Sequence, residues 1–68
     1  MTIATTWGAW KLTYGAGVTF EHIPTGESIF FQAGDDSDTF LERFAHMQDV
    51  APNRPIAAIL AALWADYH

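Results

Sequence analysis

The chain has 68 residues, no cysteine, eight acids against three bases, and a net charge of −5, with half of its residues hydrophobic. That length fits one domain, the missing cysteines exclude a disulfide or a thiolate metal site, and the few bases argue against direct nucleic-acid binding, where Lys and Arg displace counterions from phosphates. A chain this short buries only about 60% of the surface it exposes when unfolded, so its three Trp, five Phe and two Tyr are the expected substance of the core.

The N-terminal stretch Met1 to Thr6 holds no basic segment and no apolar run, and it does not read as a signal peptide. The longest uncharged run near the other end, Pro55 to Ala65, falls well short of the roughly 18–20 residues that cross a bilayer. The expectation is a cytoplasmic protein (host cytoplasm if the gene is viral) with no membrane partner.

In chain order, a first strand is predicted over about 7–14, because Trp10-Lys11-Leu12-Thr13-Tyr14 alternates apolar and polar. Trp7 and Trp10, three apart, would face opposite ways on such a strand. Gly15-Ala16-Gly17 signals a turn. A second strand follows over 18–23, with Val18 and Phe20 on one face and Thr19 and Glu21 on the other. Pro24-Thr25-Gly26-Glu27 fits a tight hairpin, with Pro presetting φ and Gly free to make it positive. The third strand covers 28–33. Its Ile29-Phe30-Phe31 triplet puts an aromatic on each face, which leaves open which side is buried. Short loops predict a three-stranded antiparallel meander.

At Gly34-Asp35-Asp36-Ser37-Asp38 the apolar period changes from two to three and four. A helix is predicted over 37–50, capped by the side chain of Asp35, Asp36 or Ser37. Phe40, Leu41, Phe44 and Met47 fall on one face, and Asp38, Glu42, His46 and Asp49 on the other. Pro52-Asn53-Arg54-Pro55 breaks the chain, and Pro55 suits the first turn of a second helix over 55–67. There Ile56, Ile59, Leu60, Leu63, Trp64 and Tyr67 gather on one side, opposite Ala57, Ala58, Ala61, Ala62 and Ala65. The predicted fold is a single α+β domain over 1–68, order β-β-β-α-α, with both helices packed on one face of the sheet.

The residues carry no enzymatic signature. There is no cysteine nucleophile and no Gly-x-Ser-x-Gly elbow, and Gly15-Ala16-Gly17 leads into a strand rather than a phosphate-loop helix. The expectation is a non-enzymatic protein with no cofactor. The first candidate surface is Asp35, Asp36, Asp38 and Glu42, four acids within eight residues. Capping accounts for about two of them, and the remainder suit a basic groove on another protein, where they would stand in for phosphates. The second is the alanine side of the last helix, Ala57, Ala58, Ala61, Ala62 and Ala65 with Trp64 at its edge. It would serve as a homodimer contact, or as the place where the first helix packs closely. The third is His46, which shares a face with Glu42 and Asp49 at i, i+4 and i+7. That spacing could hold a divalent metal or a small molecule, but the two-His zinc pattern is absent, so a solvated helix face ranks above it and no metal ligand is assigned.

In size and charge the chain resembles small acidic accessory proteins that inhibit host nucleic-acid machinery, such as phage-encoded anti-CRISPR proteins. The likeness implies a protein partner with a basic surface and rests on no motif. Three strands and a helix also resemble sheet-reading DNA-binding modules of the integrase-arm type. Those use a basic sheet face, whereas the face expected to be open here mixes Lys11, Thr13, Thr19, Glu21 and Gln32.

Overall fold

The computed structural model describes residues 2–67, and Met1 and His68 lie outside the described residues. Four strands form one antiparallel sheet in sequential order: β1 (Ile3–Trp7), β2 (Trp10–Tyr14), β3 (Gly17–His22) and β4 (Glu27–Gln32). Two helices follow, α1 (Asp35–Val50) and α2 (Ile56–Tyr67). The class is α+β as expected, but the sheet has four strands rather than three.

The extra strand arises at Gly8. Its φ of 60° is open to glycine and costly for residues with a Cβ, and it folds the supposed first strand back on itself. Gly8-Ala9 is then a two-residue hairpin loop whose glycine comes first, the arrangement of a type II′ turn. The stretch Ile3-Ala4-Thr5-Thr6-Trp7 lies along β2, residue against residue, from Ile3 with Tyr14 to Trp7 with Trp10. Trp7 and Trp10 are therefore cross-strand neighbours on the same face, not opposite-facing residues of a single strand.

The register places three cross-strand rows on the inner face: Ile3–Tyr14–Val18–Phe31, Thr5–Leu12–Phe20–Ile29, and Trp7–Trp10–His22–Glu27. The middle row holds the centre of the core, where Leu12 and Phe20 are fully buried. The helices cover this face with Phe40 and Phe44 of α1 and Ile59, Leu60 and Leu63 of α2. Each such side chain contributes roughly 1.5–3 kcal/mol by leaving water. Aromatic packing joins the layers. Phe40 stacks on Phe31 at 4.5 Å, Phe44 meets Trp7 edge-on at 6.1 Å, and Trp64 packs against Trp10 at 5.4 Å and Phe20 at 5.2 Å. The outer face carries Ala4, Thr6, Lys11, Thr13, Thr19, Glu21, Ser28, Phe30 and Gln32. The register thus settles the Phe30-Phe31 ambiguity: Phe31 points into the core, while Phe30 is 60% exposed.

The junction after β4 also differs from expectation. Gly34, at φ 110°, occupies the cap position of α1, and no side chain caps the helix. The backbone turns so early that Asp35, Asp36 and Ser37 are already helical, and a residue inside the first turn no longer occupies the position from which a cap bonds the free N–H groups. The Ser37 hydroxyl instead donates backward to the Gly34 carbonyl at 3.2 Å. Pro55 likewise sits just before α2, its carbonyl accepting hydrogen bonds from the N–H groups of Ala58 and Ile59.

Candidate partner-binding surface

α1 is amphipathic because Ser37, Phe40 and Phe44 are buried, with Leu41, Met47 and Gln48 partly so. That fixes the rotation of the helix and hence the direction of its acids. At about 100° per residue, Asp35, Asp38, Glu42 and Asp49 fall within an arc of roughly 60° on the side away from the core. All four are exposed. They span fourteen residue steps, so the row is roughly 21 Å long. His46 adjoins it and is exposed too.

Of the four acids expected to act together, the fold gathers Asp35, Asp38 and Glu42 on this row and sets Asp36 aside. Asp36 is exposed but lies about 100° around the helix from Asp35, on the flank of Arg43. Asp49 joins the row in its place. Its spacing from Glu42 was already legible as one helical face, but its distance along the chain from the first-turn cluster hid its membership.

No side chain of the row caps the helix, so capping accounts for none of these acids. The dipole favours Asp35 and Asp38 in the first turn. Glu42 receives no such benefit in mid-helix, and Asp49 stands in a last turn that contains no base, where the dipole opposes a negative charge. Neighbouring like charges one turn apart add a further cost of a few tenths of a kcal/mol per pair.

Arg43 is the one base of α1, and it is engaged elsewhere. Its guanidinium donates to the Asp66 carboxylate of α2 at 2.6 Å and lies 5.2 Å from the centre of the Tyr67 ring. Contact with Tyr67 first, and with Asp66 second, raises its pKa above the ordinary arginine value. The cation therefore clamps α1 to α2.

The alanine side of α2 is divided by the packing. Ala57 and Ala62 are partly buried, with Ala57 close to the backbone at Gly8, where an added Cβ would come within 3.6 Å. Only Ala58, Ala61 and Ala65 are exposed. Trp64 belongs to the aromatic cluster of Trp10, Phe20 and His22. Around His46, an open depression of about 330 Å³ is lined by Glu42, Arg43, His46 and Met47. Among the described residues no group of three or more His, Cys, Asp or Glu side chains is placed to hold a metal ion. Nor is any helix long and apolar enough to cross a membrane. No protein-family model, curated protein or solved structure matches the chain.

Proposed function

We propose that the protein is a non-enzymatic binding module, an accessory or inhibitor protein that lays the outer face of α1 against a basic surface of another protein. A groove that normally holds nucleic-acid phosphates has the required chemistry: fixed cations spaced along a line, which carboxylates can satisfy in place of phosphates. The observation that carries this reading is the row Asp35, Asp38, Glu42 and Asp49 on one exposed face, with the helix's own base turned away to Asp66. Such a row attracts a basic partner at long range and speeds association, an effect that weakens as salt rises.

The test is affinity capture with the tagged chain, comparing wild type with Asp38→Lys plus Glu42→Lys and with Asp36→Lys. The double variant is expected to lose its captured partner while keeping a native circular dichroism spectrum. Asp36→Lys, off the row, keeps most of the binding. Capture that survives the double reversal unchanged, or that does not fall with salt, rules the reading out.

A further inference from the structure

The two edges of the sheet are built differently. β4 begins at Glu27 and leads directly into the acidic first turn of α1. β1 runs Ile3-Ala4-Thr5-Thr6-Trp7 with no charge, no proline and no bulge, its five residues paired one to one with β2. It is the strand without a charged residue, since β2 carries Lys11, β3 Glu21 and β4 Glu27. Exposed edges are normally blunted by a lysine, a proline, a bulge or a covering segment. Among the described residues, β1 has none of the first three and no strand on its outer side.

The direction of its free backbone groups follows from the hairpin. Trp7 and Trp10 close a two-residue loop, and such a closing pair exchanges both of its hydrogen bonds. Alternation then turns the N–H and C=O groups of Ala4 and Thr6 outward. Ile3, on the inner face, is 57% exposed at the same edge.

We propose that a second copy of this chain pairs with β1, antiparallel, about a two-fold axis through Thr5, joining the two sheets edge to edge. In that register Ala4 and Thr6 exchange backbone hydrogen bonds with Thr6 and Ala4 of the second copy. Thr5 faces its own counterpart. Ile3 lies opposite the second copy's Trp7 on the inner face, an aromatic and β-branched pair of the kind sheets favour. The sequence of the strand is thus complementary to itself, as a two-fold interface requires. Charge allows this contact at β1. Two copies of a chain at −5 repel one another where their acids meet, and an uncharged edge is where they can approach closely. The inference stands apart from the acidic face of α1, which this pairing leaves uncovered.

Sedimentation equilibrium of the full chain over a range of concentrations tests it. The expected mass rises from 7.5 kDa towards twice that value. Thr5→Lys and Thr5→Glu each place like charges across the axis and weaken the dimer about fivefold or more, and an equimolar mixture of the two recovers it. Thr6→Pro removes only an outward N–H, leaving the β1–β2 ladder in place, and it weakens association while preserving the circular dichroism spectrum. If Thr6→Pro unfolds the chain, the charge-swap pair decides alone. A wild-type chain that stays monomeric at every concentration overturns the proposal. So does a dimer that the Thr5 variants leave intact, and one dissolved only by Ala61→Lys would belong to α2.

Discussion

α1 and α2 bury similar surfaces inward and present opposite ones outward. Inside, Phe40 and Phe44 of α1 meet Ile59, Leu60 and Leu63 of α2 in one continuous core. Outside, α1 shows Asp35, Asp38, Glu42 and Asp49, while α2 shows Ala58, Ala61 and Ala65. The alanines are accounted for by helix propensity, in which alanine ranks first. The acids are not accounted for in the same way, because Glu42 gains nothing from the helix dipole and repels Asp38 one turn away, and the dipole opposes Asp49. An inner face reports what the fold needs, and an outer face held against a local electrostatic cost reports something else. That asymmetry is why the functional reading rests on α1.

The comparison can be broken most forcefully from the inside. Phe40→Ala, at a fully buried site, is expected to cost about 3–5 kcal/mol, and Leu60→Ala about 2–5 kcal/mol. In a domain whose total stability is of the order of 5–15 kcal/mol, either change should bring a large fall in urea midpoint. If one helix could lose its anchor with no such loss, the two inner faces would not be equivalent and the shared core would be the wrong description.

The next effect concerns the clamp between them. Arg43 and Asp66 are 44% and 57% exposed, so solvent screens their attraction and Arg43→Gln is expected to lower thermal stability only slightly. Its more telling consequence is electrostatic. Removing the base deepens the negative field of α1, so binding to a basic partner should hold or strengthen even as thermal stability slips. Weaker partner binding in Arg43→Gln would mean that the cation, not the acid row, makes the contact.

The smallest effect lies at the end of the sheet that includes Ile3, away from the fully buried Leu12 and Phe20. Burial raises the Tyr14 pKa above its ordinary 10.0, since a low-dielectric setting disfavours the phenolate. Between the unfolded and folded values the unfolded chain gives up the proton first. Tyr14 therefore contributes stability that is fully present below pH 10 and is lost as pH rises through its folded pKa. Chemical denaturation from pH 9 upward should show this decline, and Tyr14→Phe should flatten it. An identical slope in the variant would place the alkaline sensitivity elsewhere.

Much of the fold was legible because hydrophobic period reports which face is buried. Val18 and Phe20 alternate as a half-buried strand must, and Phe40 with Phe44 recur as a helix face must. The change of period after Gly34 marked the boundary between sheet and helices. The missing strand was harder to see. Ile3-Ala4-Thr5-Thr6 alternates weakly, and a lone glycine between two tryptophans reads as well inside a strand as at a hairpin. Gly8 became decisive only when its positive φ was in view. At the acidic junction, composition announced a helix start but not its first residue. A shift of two positions turned the expected caps into helical side chains, with Asp35 and Asp36 exposed and Ser37 buried.

The sequence by itself determined the class of the protein, the order of its later elements, its net negative charge, and the polar face to which Glu42 and Asp49 belong. These follow from properties local to a few turns or strands. Only the tertiary structure decided that Phe30 is outside and Phe31 inside, that Arg43 is committed to Asp66, and that β1 stands as an uncharged edge. Each of these depends on contacts between segments far apart in the chain, and no window along the sequence contains both partners.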